Sequence, residues 1–318
     1  MTEKSSIRNI LKLSIPIFFA NLVIPLVAIV DTGLMGNLDN ASYLTATSIA
    51  TSVFSLIFWS FGFLRMGTTG MVAQAHGSKN YDEIVNLIFR NIVFVILMSL
   101  LLILCQGYIF TIALSIFELS AETTKYFKEY FELRIYSSFG ELTIYIITGL
   151  FIGLQRTTIS SVVVGVFSIT NIVLSLLFVV YFDLDVQGVA LGTVISSTLT
   201  AIIFLCYTFF ELQKFTSIKI NVEKIFNLKK ITKLFNINFD IFVRSAFLTF
   251  SFLFFTYLGN TISEDVVAAN TILLNLIMLS AFILDAYAFS TEGIVGYSIG
   301  SKDKKLLTNV IKNSFILS

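Results

Sequence analysis

Apolar stretches of roughly 20 residues or more recur along the whole chain, each long enough to cross about 30 Å of hydrocarbon. Within hydrocarbon no water is available to the backbone, so each stretch must close its own hydrogen bonds as a helix. Composition agrees: 56% of the 318 residues are hydrophobic and 13% charged, with a mean hydropathy of +0.88. Soluble domains run nearer 45–50% apolar and about 25% charged. The sequence therefore specifies an all-α polytopic membrane protein.

Eight spans are expected, at about 10–37, 43–75, 84–112, 128–153, 158–181, 187–210, 237–260 and 266–299, and a ninth apolar run starts near Leu306. Lys4, Arg8 and Lys12 ahead of the first run mimic a secretory signal. That run, however, holds Pro16, Asn21 and Pro25, lacks a small-residue cleavage site and is followed by many more spans, so it reads as a retained first helix. The one long hydrophilic stretch, 212–236, separates an N-terminal six-helix bundle (1–211) from the beginning of a C-terminal bundle (237–318). With the N-terminus in the cytoplasm, the inner loops collect 16 of the 21 basic residues, six of them between Lys214 and Lys233. The outer loops carry Asp39, Glu118, Glu122, Asp183, Asp185, Glu264 and Asp265 against Lys125 and Lys128 alone. The positive-inside rule then places 212–236 in the cytoplasm and the chain in the plasma (inner) membrane.

An internal repeat adds architecture. Gly70-Met-Val-Ala-Gln-Ala-His-Gly77-Ser78-Lys79 matches Gly293-Ile-Val-Gly-Tyr-Ser-Ile-Gly300-Ser301-Lys302 at a constant offset of 223, which also pairs Ala46 with Ala269 and Asn86 with Asn309. Six spans separate the copies, so the two halves run parallel, related by an axis along the membrane normal. Two full copies at that offset would occupy about 446 residues, and the expectation is a chain that ends early in its second half.

Several function classes drop out. A net charge of +1 without a basic stripe argues against nucleic acid. Cys105 and Cys206 sit inside apolar runs without disulfide or metal spacing. A single histidine, His76, at the cytoplasmic end of span two removes most zinc sites and histidine-based triads. The phosphate-cradling GxxxxGK[ST] and GxGxxG patterns are missing, so no cofactor is expected and an enzyme is not. The 33 phenylalanines and 12 tyrosines fit lipid-facing and interfacial positions better than an aromatic pocket.

Ionisable groups inside hydrocarbon are costly, so each is a functional candidate. Counted at 1.5 Å per residue, Asp31 lies about 12 Å inside Asp39. The same count puts Ser175, eight residues before Asp183, and Thr193, eight after Asp185, at that depth; Asn171 is one turn deeper than Ser175 on the same face. Together these four suggest a cation or proton pocket in the outer half of the first bundle, holding at most a sodium ion. Interhelical hydrogen bonding between spans five and six is an equal alternative for Asn171, Ser175 and Thr193. Further along, Asp285 and Glu292 are seven residues apart on one face of span eight. Asp240 and Arg244 have the spacing of an i,i+4 ion pair near the inner end of span seven. Arg65 is a candidate cavity residue; Glu141 is also intramembrane, with no partner evident.

Leu13-Ser-Ile-Pro16-Ile-Phe-Phe-Ala-Asn21, followed by Val30-Asp31-Thr32-Gly33-Leu-Met-Gly36, resembles the first helix of the multidrug and toxic compound extrusion (MATE) family. Phe63-Leu-Arg65-Met-Gly67-Thr68-Thr69-Gly70, Asn171-Ile-Val-Leu, Asp240-Ile-Phe-Val-Arg244 and Leu284-Asp285-Ala-Tyr-Ala-Phe-Ser-Thr-Glu292-Gly resemble its DNA-damage-inducible F branch. The resemblance implies a twelve-helix, two-bundle antiporter in which proton or sodium influx drives efflux of organic, often cationic, compounds. It also implies a first-bundle cation site at Asp31, Asn171 and Thr193. Where that branch has an acid, this sequence has Ser175. The expected partners are a small organic substrate, the lipid bilayer and a chain supplying the remaining helices. A lipid-linked sugar flippase of the same superfamily and a non-transporting remnant are the alternatives.

Overall fold

The computed structural model describes residues 7–38, 40–117, 119–216, 222–262 and 264–317. Lys4, Asp39, Glu118 and Lys219 of the charge argument lie outside them, as do the side chains of Glu264, Asp265 and Ala269. Every regular element among the described residues is a helix. The first bundle contains α1 (Ile7–Gly36), α2 (Ala41–Ser60), α3 (Phe63–Gly77), α4 (Tyr81–Leu104), α5 (Gln106–Ile116), α6 (Ala121–Arg134), α7 (Ser138–Gly153), α8 (Thr157–Leu176) and α9 (Asp185–Gln213). After them come α10 (Val222–Ile225), α11 (Leu228–Ile262), α12 (Glu264–Gly300) and α13 (Lys304–Leu317). Six continuous or end-to-end helical stretches are long and apolar enough to span a membrane: Ile7–Gly36, Ala41–Gly77, Tyr81–Leu104, Ala121–Gly153, Thr157–Tyr181 and Asp185–Gln213.

The expected spans need three adjustments, each with a local cause. Span three ends at Cys105, where the chain turns into α5 instead of running on to 112. Span two is broken at Phe61–Gly62, and span four at a 3₁₀ turn, Ile135–Ser137. The Lys-rich stretch 212–236 is not all loop, because α10 forms within it and α11 begins at Leu228, well ahead of the apolar residues. Lysine is a good helix former, so a polar first turn costs a helix little.

Polar caps mark the starts that hydropathy leaves vague. Asn40 accepts from Ser42 N (2.8 Å) ahead of α2, Asn80 from Glu83 N (3.1 Å) ahead of α4, and Ser120 from Thr123 N (3.2 Å) ahead of α6. Each satisfies a donor that the first turn of a helix leaves free. Helix α7 is buried over nearly its whole length and is packed among α3, α4, α8, α9 and α12. The apolar faces of α1, α4 and α8 point outward instead, with Phe19, Ile29, Leu97, Leu104, Ile169 and Val173 all exposed. That is the disposition expected when the surrounding solvent is hydrocarbon.

The 223-residue repeat is present in the backbone, bond by bond. At the end of α3, Ser78 N donates to Gln74 O (3.0 Å), Lys79 N to His76 O (3.0 Å) and Asn80 N to Ala75 O (2.8 Å). At the end of α12, Ser301 N donates to Tyr297 O (2.9 Å), Lys302 N to Ile299 O (3.1 Å) and Asp303 N to Ser298 O (3.0 Å). Lys79 and Lys302 both take left-handed conformations, at φ 59° and 57°, closing the same helix-ending motif. Asn80 Oδ1 then caps Glu83 N, and Asp303 Oδ1 caps Leu306 N (2.9 Å). The two copies also touch each other. A Cβ on Gly77 would collide with Tyr297 O, and one on Gly300 with Gln74 O. These collisions interchange under the offset, as a local two-fold axis between α3 and α12 requires.

Candidate functional site

Of the four residues predicted to share a depth, Asn171 and Thr193 are hydrogen-bonded across α8 and α9, and Ser175 lies beside Asp31. Helices α8 and α9 come together because Gly192 has no side chain: a Cβ there would sit 2.8 Å from Ser175 Oγ and 2.9 Å from Ser175 N. Asn171 and Ser175, one turn apart on α8, are fully buried, and Thr193 nearly so. Thr193 Oγ1 donates to Val189 O (3.1 Å) and accepts from Asn171 Nδ2 (2.9 Å), with Ser196 Oγ a longer second acceptor at 3.5 Å. These bonds fix the amide so that its nitrogen faces α9 and its oxygen faces away. Asn171 Oδ1 is left buried without a partner, as are Ser175 Oγ and Asp31 Oδ1. Ser175 is the hydroxyl beside the Asp31 carboxylate, although neither of these two atoms is within hydrogen-bonding geometry. An orphaned buried acceptor or hydroxyl costs about 1–3 kcal/mol. Three buried oxygens of different chemistry, on Asp31, Asn171 and Ser175, are thus each left without a hydrogen-bond partner.

Beside this cluster lies a cation that hydropathy did not single out. Arg134 ends α6, within electrostatic reach of Asp31, and Tyr130, one turn earlier, is buried beside both. The guanidinium bonds Glu141 Oε1 (2.5 Å) and Ser137 Oγ, and it lies over the rings of Phe54 (5.1 Å) and Phe58 (5.3 Å). Ser137 Oγ donates in turn to Glu141 Oε1 (2.9 Å). Glu141, without a partner in the sequence, is thus half of a buried ion pair that straddles the 3₁₀ turn. The signal was available: Arg134 and Glu141 are seven residues apart in one expected span, the spacing noted for Asp285 and Glu292.

Glu141 also borders a central cavity walled by α1, α3, α7, α8 and α12. Its lining is mostly apolar, with Asn21, Arg65, Glu141, Tyr145 and Ser161 as polar points. Asn21 and Asp31 lie ten residues apart on α1, so the cavity and the oxygen cluster sit about 15 Å from each other along one helix, with Pro25 between them. Arg65 places its guanidinium 3.7 Å from the centre of the Phe289 ring, and its Nε has no hydrogen-bond partner. The stacking supplies a cation–π contact in place of a carboxylate.

The second-half candidates fall into two sets. Asp285 and Glu292 are both within electrostatic reach of Arg65 and Arg244, so they share the side of α12 that faces α3 and α11. Glu292 is half-buried there, whereas Asp285 is exposed and not enclosed at mid-membrane. The expected Asp240–Arg244 ion pair does not form: both side chains are exposed, and Arg244 Nη2 contacts Met66 Sδ (3.3 Å) instead. Cys105 and Cys206 are free thiols, and the His76 ring lies between those of Tyr81 and Tyr297 at 5.9 and 5.2 Å. Among the described residues, no three His, Cys, Asp or Glu side chains cluster as metal ligands.

The MatE family model matches residues 16–177, which include most of α1, the cavity walls other than α12, and Asp31, Asn171 and Ser175. The chain belongs to the MatE family. It is 30% identical over 244 residues to DNA damage-inducible protein F of Escherichia coli, covering 77% of this chain and 53% of that protein. To the multidrug export protein MepA of Staphylococcus aureus it is 23% identical over 249 residues, covering 78% and 55%. The chain thus spans about half the length of the curated relatives it matches. Its fold is that of a MOP superfamily transporter from Pyrococcus furiosus, with a TM-score of 0.86 at 18% identity, over all of this chain and 71% of the other.

Proposed function

We propose that this chain forms the ion-coupling half of an antiporter that exports organic, predominantly cationic, compounds in exchange for protons or sodium. Asp31 is the coupling residue, and Asn171, Ser175 and Thr193 complete the site. The observation that supports the reading is that Asp31 Oδ1, Asn171 Oδ1 and Ser175 Oγ are all buried and all unpartnered, with Ser175 beside Asp31. A carboxylate, an amide carbonyl and a hydroxyl make an oxygen-only set suited to a hard monovalent cation, or to a proton on the one acid. With Ser175 in place of a second carboxylate, the site carries a single negative charge and takes one cation per cycle. When that cation leaves, Asp31 regains the charge that Arg134 can answer. Pro25 gives α1 a point at which to bend between the site and the cavity. An inwardly directed proton or sodium gradient would set the direction of export as outward.

The test is Asp31→Asn in the protein that carries this chain, reconstituted into vesicles with an imposed proton or sodium gradient and a fluorescent organic cation. Gradient-driven movement of the dye should disappear at equal protein incorporation. Undiminished transport by the variant would sink the reading, and collapsing each gradient separately identifies the ion. One observation favours a second reading, the flipping of an anionic lipid-linked sugar: Arg65 Nε is unpartnered in the central cavity, where Glu141 is already neutralised by Arg134. Transfer of such a lipid, abolished by Arg65→Gln and insensitive to the dye, would select it.

A further inference from the structure

A second pocket lies far from the oxygen cluster, where α3 turns into α4 against the first turns of α11 and the end of α12. Its ionisable lining is three cations, Arg90, Lys230 and Lys233, against one carboxylate, Glu83. That carboxylate is used on both sides: Oε1 bonds Arg90 Nη2 (3.1 Å) and Oε2 bonds Lys230 Nζ (2.7 Å). The neighbouring acid, Asp82, is turned away to accept from Thr216 Oγ1 (2.5 Å). Arg90 is the decisive residue. Its side chain is only 5% exposed, its second contact is the weakly charged Lys224 carbonyl at 3.4 Å, and its Nε is buried without a partner. Lys233 is in no ion pair among the described residues. Ser78 and Asn80 add a hydroxyl and an amide to the wall.

A buried arginine held by one shared carboxylate, with two lysines at the mouth, leaves an excess of two positive charges inside a concave site. We infer that this pocket binds a phosphate group, which would meet the guanidinium fork of Arg90 and accept from the two lysine ammonium groups. Basic pockets between membrane helices are also where anionic lipid headgroups are held. The bound phosphate would join α4 to the first turns of α11, since Arg90 lies on α4 and the two lysines lie in the inter-bundle stretch where α11 begins. The phosphate could arrive on a lipid headgroup or free in solution, and both have the chemistry the site selects.

The experiment separates the two. The chain is placed in nanodiscs of phosphatidylcholine alone, and its thermal unfolding is followed as inorganic phosphate replaces chloride at constant ionic strength. In a second arm, phosphatidic acid is titrated into the discs, and retained lipid is counted by native mass spectrometry. Stabilisation by inorganic phosphate in zwitterionic discs assigns a soluble ligand, and stabilisation by phosphatidic acid alone assigns a headgroup. In either case the Lys230→Gln/Lys233→Gln variant, which leaves the Arg90–Glu83 pair in place, should bind about thirtyfold more weakly, from roughly fivefold per basic residue. Arg90→Lys, which keeps the charge but loses the fork, should weaken binding in the same direction. Absence of any response to both ligands, or a response equal in the double-lysine variant and the parent, would overturn the assignment.

Discussion

The reciprocal glycine contact between α3 and α12 gives a prediction whose size and sign follow from geometry. In Gly77→Ala the new Cβ would lie against Tyr297 O and 2.9 Å from both Ser301 N and the Tyr297 carbonyl carbon. Backbone atoms on the far helix cannot rotate aside as a side chain can, so the two helices must part by more than about 1 Å to restore ordinary contact. Overpacking of this kind costs about 1–3 kcal/mol. Gly165 on α8 serves as the control, since a Cβ there meets nothing within 4 Å. Alanine at that site should instead gain up to about 1 kcal/mol from helix propensity. Gly300→Ala meets Gln74 O through the same contact seen from the other side, so it should cost about as much as Gly77→Ala. Once the first substitution has parted the helices, the second finds room, and the double variant should be less destabilised than the sum by about 0.5–3 kcal/mol. Thermal unfolding of the four variants in one detergent measures all of this. Strict additivity of Gly77→Ala and Gly300→Ala, or a Gly77→Ala protein as stable as Gly165→Ala, would refute the contact as described.

Two further predictions concern the first bundle. Arg134→Met should destabilise the protein by about 3–5 kcal/mol because it strands Glu141 in a buried setting, while Arg134→Met/Glu141→Met should recover most of that loss; equal unfolding temperatures for the single and double variants would contradict the pairing. Asn171→Val removes an orphaned acceptor together with the bond to Thr193, so its stability should fall by no more than about 1 kcal/mol while gradient-driven transport is lost. Coupled transport by Asn171→Val at the parent rate would instead assign Asn171, Ser175 and Thr193 to helix packing.

Hydropathy and periodicity laid out the helical class and the membrane spans in advance, and a fixed offset between glycines revealed the repeat that the helix-ending bonds at Lys79 and Lys302 reproduce. Depth counting along separate helices, which rests on the uniform rise of a helix, singled out Asp31, Asn171, Ser175 and Thr193 as candidates, but the Asn171–Thr193 bond came from the packing of α8 on α9. Breaks inside apolar runs, at Phe61–Gly62, Cys105 and the 3₁₀ turn before α7, were invisible because each interruption is made of residues as apolar or small as their surroundings.

What the sequence determines for this protein is what depends on one helix at a time: length, polarity, register and the side of the membrane each end prefers. Which helices meet, and through which faces, was decided by tertiary packing alone. Gly192 is an ordinary small residue until it admits Ser175, Glu141 is an unexplained acid until Arg134 reaches it across a turn, and Arg244 leaves Asp240 to lie against Met66 of a neighbouring helix. Charges in a low-dielectric interior take the partners that three-dimensional proximity offers, and sequence spacing constrains those partners only within a single helix.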